Sequence, residues 1–199
     1  MPVPAVERHP FAPFLPEGAK VLFLGSFPPQ PKRWCMDFYY PNWINDFWRV
    51  CGLLFFGDRR HFEVPGRKRF DKERIIAFCR QQGIALYDTA TAVRRLKDNA
   101  SDKFLEVVEA TDLAVLFARL PRLGAVVTTG QKATDVLRER FGCPEPAMGG
   151  SVPLEDAHAG LRFYRMPSTS RAYPLALEKK AACYRRLFEA LGMLPDQPL

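Results

Sequence analysis

The chain contains no apolar run of 18 residues, so no segment reads as a membrane-spanning helix. It also lacks the basic-then-apolar opening of a secretory signal, since residues 1–16 carry Glu7 and several prolines instead. A cytoplasmic location is the expectation that follows. The five cysteines (Cys35, Cys51, Cys79, Cys143 and Cys183) form no C-x-x-C pair. Neither a disulfide framework nor the usual spacing of a zinc or iron–sulfur site is present, and the cysteines read as reduced, mostly buried thiols. No metal and no cofactor is implied. There are three histidines, His9, His61 and His158; each reads as structural or solvated, and no Ser/His/Asp triad can be assembled. The phosphate-binding loops G-x-G-x-x-G and G-x-x-x-x-G-K-S/T are missing. With no internal repeat, low-complexity segment or domain boundary, residues 1–199 read as a single domain whose first 17 residues form an irregular arm.

What is present fits one ordinary globular core. The 199 residues are 47% hydrophobic and 26% charged. The net charge of +7 and pI of about 9.3 favour a polyanionic partner, because neutralised phosphates release counterions. Short basic clusters occur at Arg59-Arg60, Arg67-Lys68-Arg69 and Arg94-Arg95.

Four short apolar runs read as buried parallel strands: 19–24, 84–87, 125–129 and 161–166. Helical patterns lie between them. They cover 45–55, 71–82 (closed by Gly83), a helix capped by Thr111 and running to Leu120, one opened by Gly130 and ending near Phe141-Gly142, and one after Pro174. The stretch 142–160, rich in Pro and Gly, reads as loop or a short hairpin. Strands alternating with helices predict a three-layer α/β/α fold with a central, mostly parallel four-stranded sheet. Ligands of such sheets bind beyond the carboxyl ends of the strands, which directs attention to 25–29, 88–91, 128–132 and 167–171.

The loop Gly25-Ser26-Phe27-Pro28-Pro29 is shaped by one glycine and two prolines, and by itself is equally a plain turn. The segment 38–48 holds six aromatics and two asparagines. Such rings stack nucleobases and amides read base edges, although Phe47 and Trp48 also suit a core and Asn45 a helix cap. Pro167-Ser168-Thr169-Ser170-Arg171 offers hydroxyls and a cation for phosphates, or a simple Ser/Thr turn. Thr128, Thr129 and Lys132 sit where a helix N-terminus would hold a phosphate, or are ordinary solvated residues.

Together these segments resemble the uracil-DNA glycosylase superfamily, and most of all its hypoxanthine-DNA glycosylase branch. Gly25-Ser26-Phe27-Pro28 matches the G-x-x-P motif after the first strand. Tyr40 followed by Asn45-Asp46-Phe47-Trp48 matches an aromatic followed by N-x-F-W, and Pro167-Ser168-Thr169-Ser170 matches the P-S-T-S of the second motif. Two positions depart from other branches: Phe27 replaces a polar residue that positions water, and Met166 replaces a His or Asn that stabilises the departing base. The resemblance therefore implies that Asn45 carries the catalytic polar role. Gly25, Ser26, Phe27, Pro28, Tyr40, Asp88 and Met166 would form the base pocket, with Tyr40 stacking the base. Asp88 either reads its edge or caps the following turn. Thr129, Lys132 and Pro167 to Arg171 would contact DNA, with Arg171 entering the minor groove. The implied activity is a monofunctional, monomeric glycosylase that hydrolyses the N-glycosidic bond of a deaminated base, uracil or hypoxanthine, in DNA. The alternatives are a silent nucleic-acid-binding relative and a nucleoside hydrolase.

Overall fold

A computed structural model describes residues 4–97, 104–154, 157 and 160–194. Its element order is β1 (Val6–Arg8), β2 (Val21–Gly25), a 3-10 turn (Pro31–Arg33), α1 (Phe47–Phe56), α2 (Lys72–Gln82), β3 (Ile84–Asp88) and β4 (Ala90–Arg95). There follow β5 (Leu105–Ala110), α3 (Leu113–Ala118), β6 (Ala125–Thr129), α4 (Gln131–Phe141), β7 (Ser151–Pro153), β8 (Arg162–Met166) and α5 (Leu177–Ala190).

The main sheet has the order β3-β2-β6-β8-β7. The four apolar runs form its parallel part, with β2 between β3 and β6, and β6 beside β8. The expectation of four strands is corrected at one edge: β7, in the stretch read as loop or hairpin, pairs antiparallel with β8, so the sheet is five-stranded and mixed. A second sheet was not anticipated. It is antiparallel and has the order β1-β4-β5.

Strand parity explains how helices cover the main sheet. Phe23 of β2 meets Phe47 of α1 and Tyr184 and Phe188 of α5 on one face, and Phe55 of α1 ties in Phe78 of α2. Thr128, which pairs in register with Leu24 and so faces the other way, bonds Thr134 of α4, against which Phe117 of α3 stacks on Phe141. Helices therefore lie on both faces, and the mostly apolar β2, β3 and β6 are buried between them.

Helix boundaries follow local chemistry. The Asp71 side chain accepts from Arg74 N–H to open α2, and Gly83 closes it at φ 70°. Asp112, rather than Thr111, caps α3 by accepting from Val115 N–H, while the Thr111 hydroxyl donates to the carbonyl of Asp88. The cysteines are free, and burial pushes the thiols of Cys51 and Cys79 up. No helix among the described residues is long and apolar enough to cross a membrane.

The described part of the arm, residues 4–17, holds a short strand where an irregular segment was expected. Val6–Arg8 pairs with β4, His9 N–H donates to Thr91 O, and Phe14 exchanges two backbone hydrogen bonds with Leu86 of β3. Arg95, at the end of β4, fastens it. Its guanidinium bonds both carboxylate oxygens of Glu7 (3.2 and 3.1 Å) and the carbonyl of Pro28 (3.1 Å). The Arg94-Arg95 cluster is thus no free cationic patch, since Arg94 pairs with Glu106 as well.

Candidate active site

The parallel strands end together at Gly25, Asp88, Thr129 and Met166, and a cleft opens beyond them, as expected for an open α/β sheet. It encloses about 120 Å³, against the roughly 10–15 Å³ that one water requires, so it has room for a small planar molecule. Its walls are the first loop (Gly25 to Pro29), the aromatic segment (Tyr39 to Asn42, and Asn45), the third loop (Ser168 to Ser170), and Asp88, Arg95 and Thr129. Asp88 is the one carboxylate among these lining residues.

Gly25 and Asp88 are register partners on adjacent strands, which places Asp88 over the glycine. A Cβ on Gly25 would lie 2.5 Å from Asp88 Oδ1, so glycine at this position is what makes room for the carboxylate. Asp88 Oδ2 meets His9 Nε2 at 2.8 Å, with side-chain exposures of 11% and 3%. The other loop residue of note, Phe27, turns into a small apolar cluster with Ala90, Val93 and Leu105 of the second sheet. Phe27 therefore anchors the loop to that sheet, and the Trp34 indole N–H donates to Pro29 O to hold the far end.

Tyr40 occupies the left-handed region (φ 52°), a strained setting for a non-glycine residue. Its ring stacks on Phe47 at 3.9 Å and 11°, and its hydroxyl lies 3.2 Å from Thr129 Oγ1. Burial pushes its phenol up, so it stays protonated. Two residues later the chain turns on Asn42, whose Oδ1 accepts from Ile44 N–H. Asn45 Oδ1 accepts from Phe47 N–H at 2.9 Å, opening α1. Only oxygen can receive that N–H, so the amide orientation is determined and the Asn45 NH₂ is the end left for the cleft. Arg49 supports this loop by donating to the carbonyls of Trp43 and Asn45 and to Glu63, with its guanidinium 4.5 Å above the Trp43 ring.

The third loop is bolted from behind. Lys180, with a fully buried side chain, donates to Asp46 Oδ2 (3.0 Å) and to Ser170 O (2.9 Å). Asp46 N–H donates to Thr169 O, and the Tyr184 hydroxyl donates to Pro167 O. The α1 N-terminus and the loop 167–170 are therefore tied to one another.

Of the residues singled out from sequence, Gly25, Ser26, Phe27, Pro28, Tyr40, Asn45, Asp88, Thr129, Ser168, Thr169 and Ser170 line the cleft. Met166 does not: it is fully buried in the core. Lys132 reaches away to the carbonyl of Leu105, Pro167 is held by Tyr184, and Arg171 Nε pairs with Asp46 Oδ1 at 3.2 Å. His9, Arg95 and Lys180 were missed. Arg95 carried a signal, because Ala90, Ala92 and Val93 mark a half-buried strand; His9 and Lys180 carried none. His61 stacks on Phe56 away from the cleft, and His158 lies outside the described residues. No cluster of His, Cys, Asp and Glu able to hold a metal occurs among the described residues.

No family model matches the sequence, and no curated protein matches it. The fold is similar to a solution NMR structure from Methanosarcina acetivorans whose description reads "a putative Uracil DNA glycosylase". The TM-score is 0.62, with 23% identity over 92% of this chain and 99% of that one. The likeness is one of fold, extending over nearly the full length of both molecules.

Proposed function

We propose that this protein is a monofunctional DNA glycosylase of the uracil-DNA glycosylase superfamily, acting on a deaminated base. The observation that carries the reading is the pairing, in one cleft, of an acceptor and a donor of fixed polarity above a stacking ring. Asp88 and Asn45 both line the cleft: His9 takes Asp88 Oδ2, which leaves Oδ1 as acceptor, Phe47 N–H takes Asn45 Oδ1, which leaves the NH₂ as donor, and Tyr40, backed by Phe47, is the platform. Deamination turns the amidine edge of cytosine or adenine, an acceptor beside an amino donor, into a lactam edge, an N–H beside a carbonyl. The lactam edge complements this pair with its N–H donating to Asp88 and its carbonyl accepting from Asn45, whereas the amidine edge meets it only when turned over, amino group to Asp88 and ring nitrogen to Asn45. Uracil and hypoxanthine both present the lactam edge. The similar fold of the protein described as "a putative Uracil DNA glycosylase" adds support.

In the reaction water adds to C1′ of the deoxyribose as the N-glycosidic bond breaks. Its electron pair goes to the base, and the proton lost by water ends on the base nitrogen. The Asn45 donor stabilises the charge that grows on the base carbonyl, an interaction stronger in the transition state than before it. No lysine lines the cleft, which favours hydrolysis over Schiff-base strand cleavage. The hypoxanthine-type branch is the closest fit, through Asn45 and the apolar Phe27.

The test is incubation with oligonucleotides containing uracil, hypoxanthine, cytosine or adenine at one position, with alkali to reveal abasic sites. Product is expected from the first two and not the others, and is expected to be abolished by Asn45→Ala. DNA binding with no abasic product would overturn the reading in favour of a silent binder, and turnover of free nucleosides in favour of a nucleoside hydrolase.

A further inference from the structure

His9 belongs to the arm and to none of the cleft's loops, yet its side chain is nearly as buried as any core residue. Four rings box it in: Tyr87 at 4.8 Å, Phe27 at 5.3 Å, Phe11 at 6.0 Å and Tyr39 at 6.1 Å between centroids. The ring cannot rotate without displacing them. Both its nitrogens are engaged. Nε2 meets Asp88 Oδ2 at 2.8 Å, and Nδ1 lies 3.1 Å from the N–H and 2.9 Å from the carbonyl of Phe11. If Nδ1 accepts from Phe11 N–H, the ring is neutral with its proton on Nε2. If Nδ1–H donates to Phe11 O, both nitrogens are protonated. In each case Nε2–H is the donor and Asp88 Oδ2 the acceptor.

We propose that His9 is a positioning residue for Asp88, and that the arm thereby forms part of the active site. By occupying Oδ2, His9 leaves Oδ1 as the single acceptor turned to the cleft and fixes its direction, while Gly25 supplies the space it projects into. A carboxylate free to rotate would present either oxygen and could accept from an amino group as readily as from a lactam N–H. Held by one edge, it accepts along one line. Arg95 acts in the same structure by tying the arm, through Glu7, to Pro28 of the first loop. The identity of the ligand rests on the glycosylase reading, whereas the His9–Asp88 bond does not, and the experiment separates the two.

Nitrogen-15 NMR of the imidazole groups reads the bond without any substrate. With only three histidines in the chain, the His9 resonances are assigned by their loss in His9→Gln. The expected result is a slowly exchanging Nε2–H proton, shifted downfield, that moves when Asp88→Asn is introduced. A freely exchanging ring whose signals ignore Asp88→Asn would overturn the proposal whatever the activity. On a uracil- or hypoxanthine-containing oligonucleotide, His9→Ala is expected to lower kcat about 10- to 100-fold with KM changed less than about threefold, as for other residues that hold a ligand-contacting group in place. His9→Gln, whose amide N–H reaches the same oxygen, is expected to recover most of that loss. In the Asp88→Asn background His9→Ala should cost nothing further, and additive losses would overturn the assignment. Absence of turnover in the wild type together with the expected NMR signature would count against the glycosylase reading alone.

Discussion

Two buried carboxylates, Asp88 in the cleft wall and Asp46 behind it, are used differently. Asp46 has both oxygens committed, Oδ2 to the fully buried Lys180 and Oδ1 to Arg171, and its backbone N–H joins the third loop. Asp88 has one oxygen committed, to His9, and one turned to the cleft. A saturated carboxylate is a bolt, whose loss is felt as stability. A half-saturated one has valence left for a ligand, and its loss is felt as function. Burial alone does not tell the two apart; the count of partners does.

The sharpest way to break this contrast is Lys180→Met. Leaving Asp46 buried without its principal partner is expected to cost about 3–5 kcal/mol in urea denaturation. A loss below about 1 kcal/mol would show that the Asp46 cluster is no bolt. Asp88→Asn should do the reverse, with base release falling at least about 100-fold, equivalent to about 2.7 kcal/mol, and the denaturation midpoint nearly unmoved. A large fall in stability with unchanged rate would make Asp88 structural after all. Gly25→Ala comes next, since its Cβ would meet Asp88 Oδ1 at 2.5 Å. The displaced carboxylate is expected to cost about 1–3 kcal/mol of stability and to lower kcat without altering the overall circular dichroism. An unaltered rate would mean that Oδ1 need not point where it does. The smallest effect is expected from Arg171→Ala. Its side chain is 46% exposed, so its ion pair with Asp46 is worth no more than about 1 kcal/mol, and a larger thermal shift would move Arg171 into the bolt.

The contrast also marks what was legible in the sequence. The four parallel strands were: β2, β3 and β6 because they are mostly apolar runs buried on both faces, and β8 because Phe163, Tyr164 and Met166 are buried beside its two arginines. Helices α2 and α4 were, because Gly83 and Gly142 end them in the left-handed conformation. The cleft's glycine, aspartate and Ser/Thr loop were legible because strand ends are where such sheets bind, and its tyrosine and asparagine because the segment 38–48 is dense in aromatics and amides. The second sheet was not. Strand β4 reads Ala-Thr-Ala-Val-Arg-Arg; Ala90, Ala92 and Val93 hint at a half-buried strand, but its last buried position is filled by Arg95, whose charge is answered by Glu7, 88 residues away. A buried ion pair across that separation leaves no periodic trace. The same holds for Lys180 and Asp46, 134 residues apart, and for His9 and Asp88, 79 residues apart. Patterns report how a segment meets an apolar core, whereas polar pairing is decided by whichever distant residue the fold brings alongside.

The arm's pairing with β3 has one more consequence. β3 is an outer strand of the main sheet, and the two backbone bonds between Phe14 and Leu86 occupy the middle of its open side. A protein clipped after about residue 15 would lose the His9 contact, and it would also expose a row of unpaired amides on an apolar strand, a template on which further chains add. Preparations nicked in the arm should therefore reveal themselves first by turbidity and self-association, so that a protease survey followed by light scattering reports on the integrity of the arm before any substrate is added.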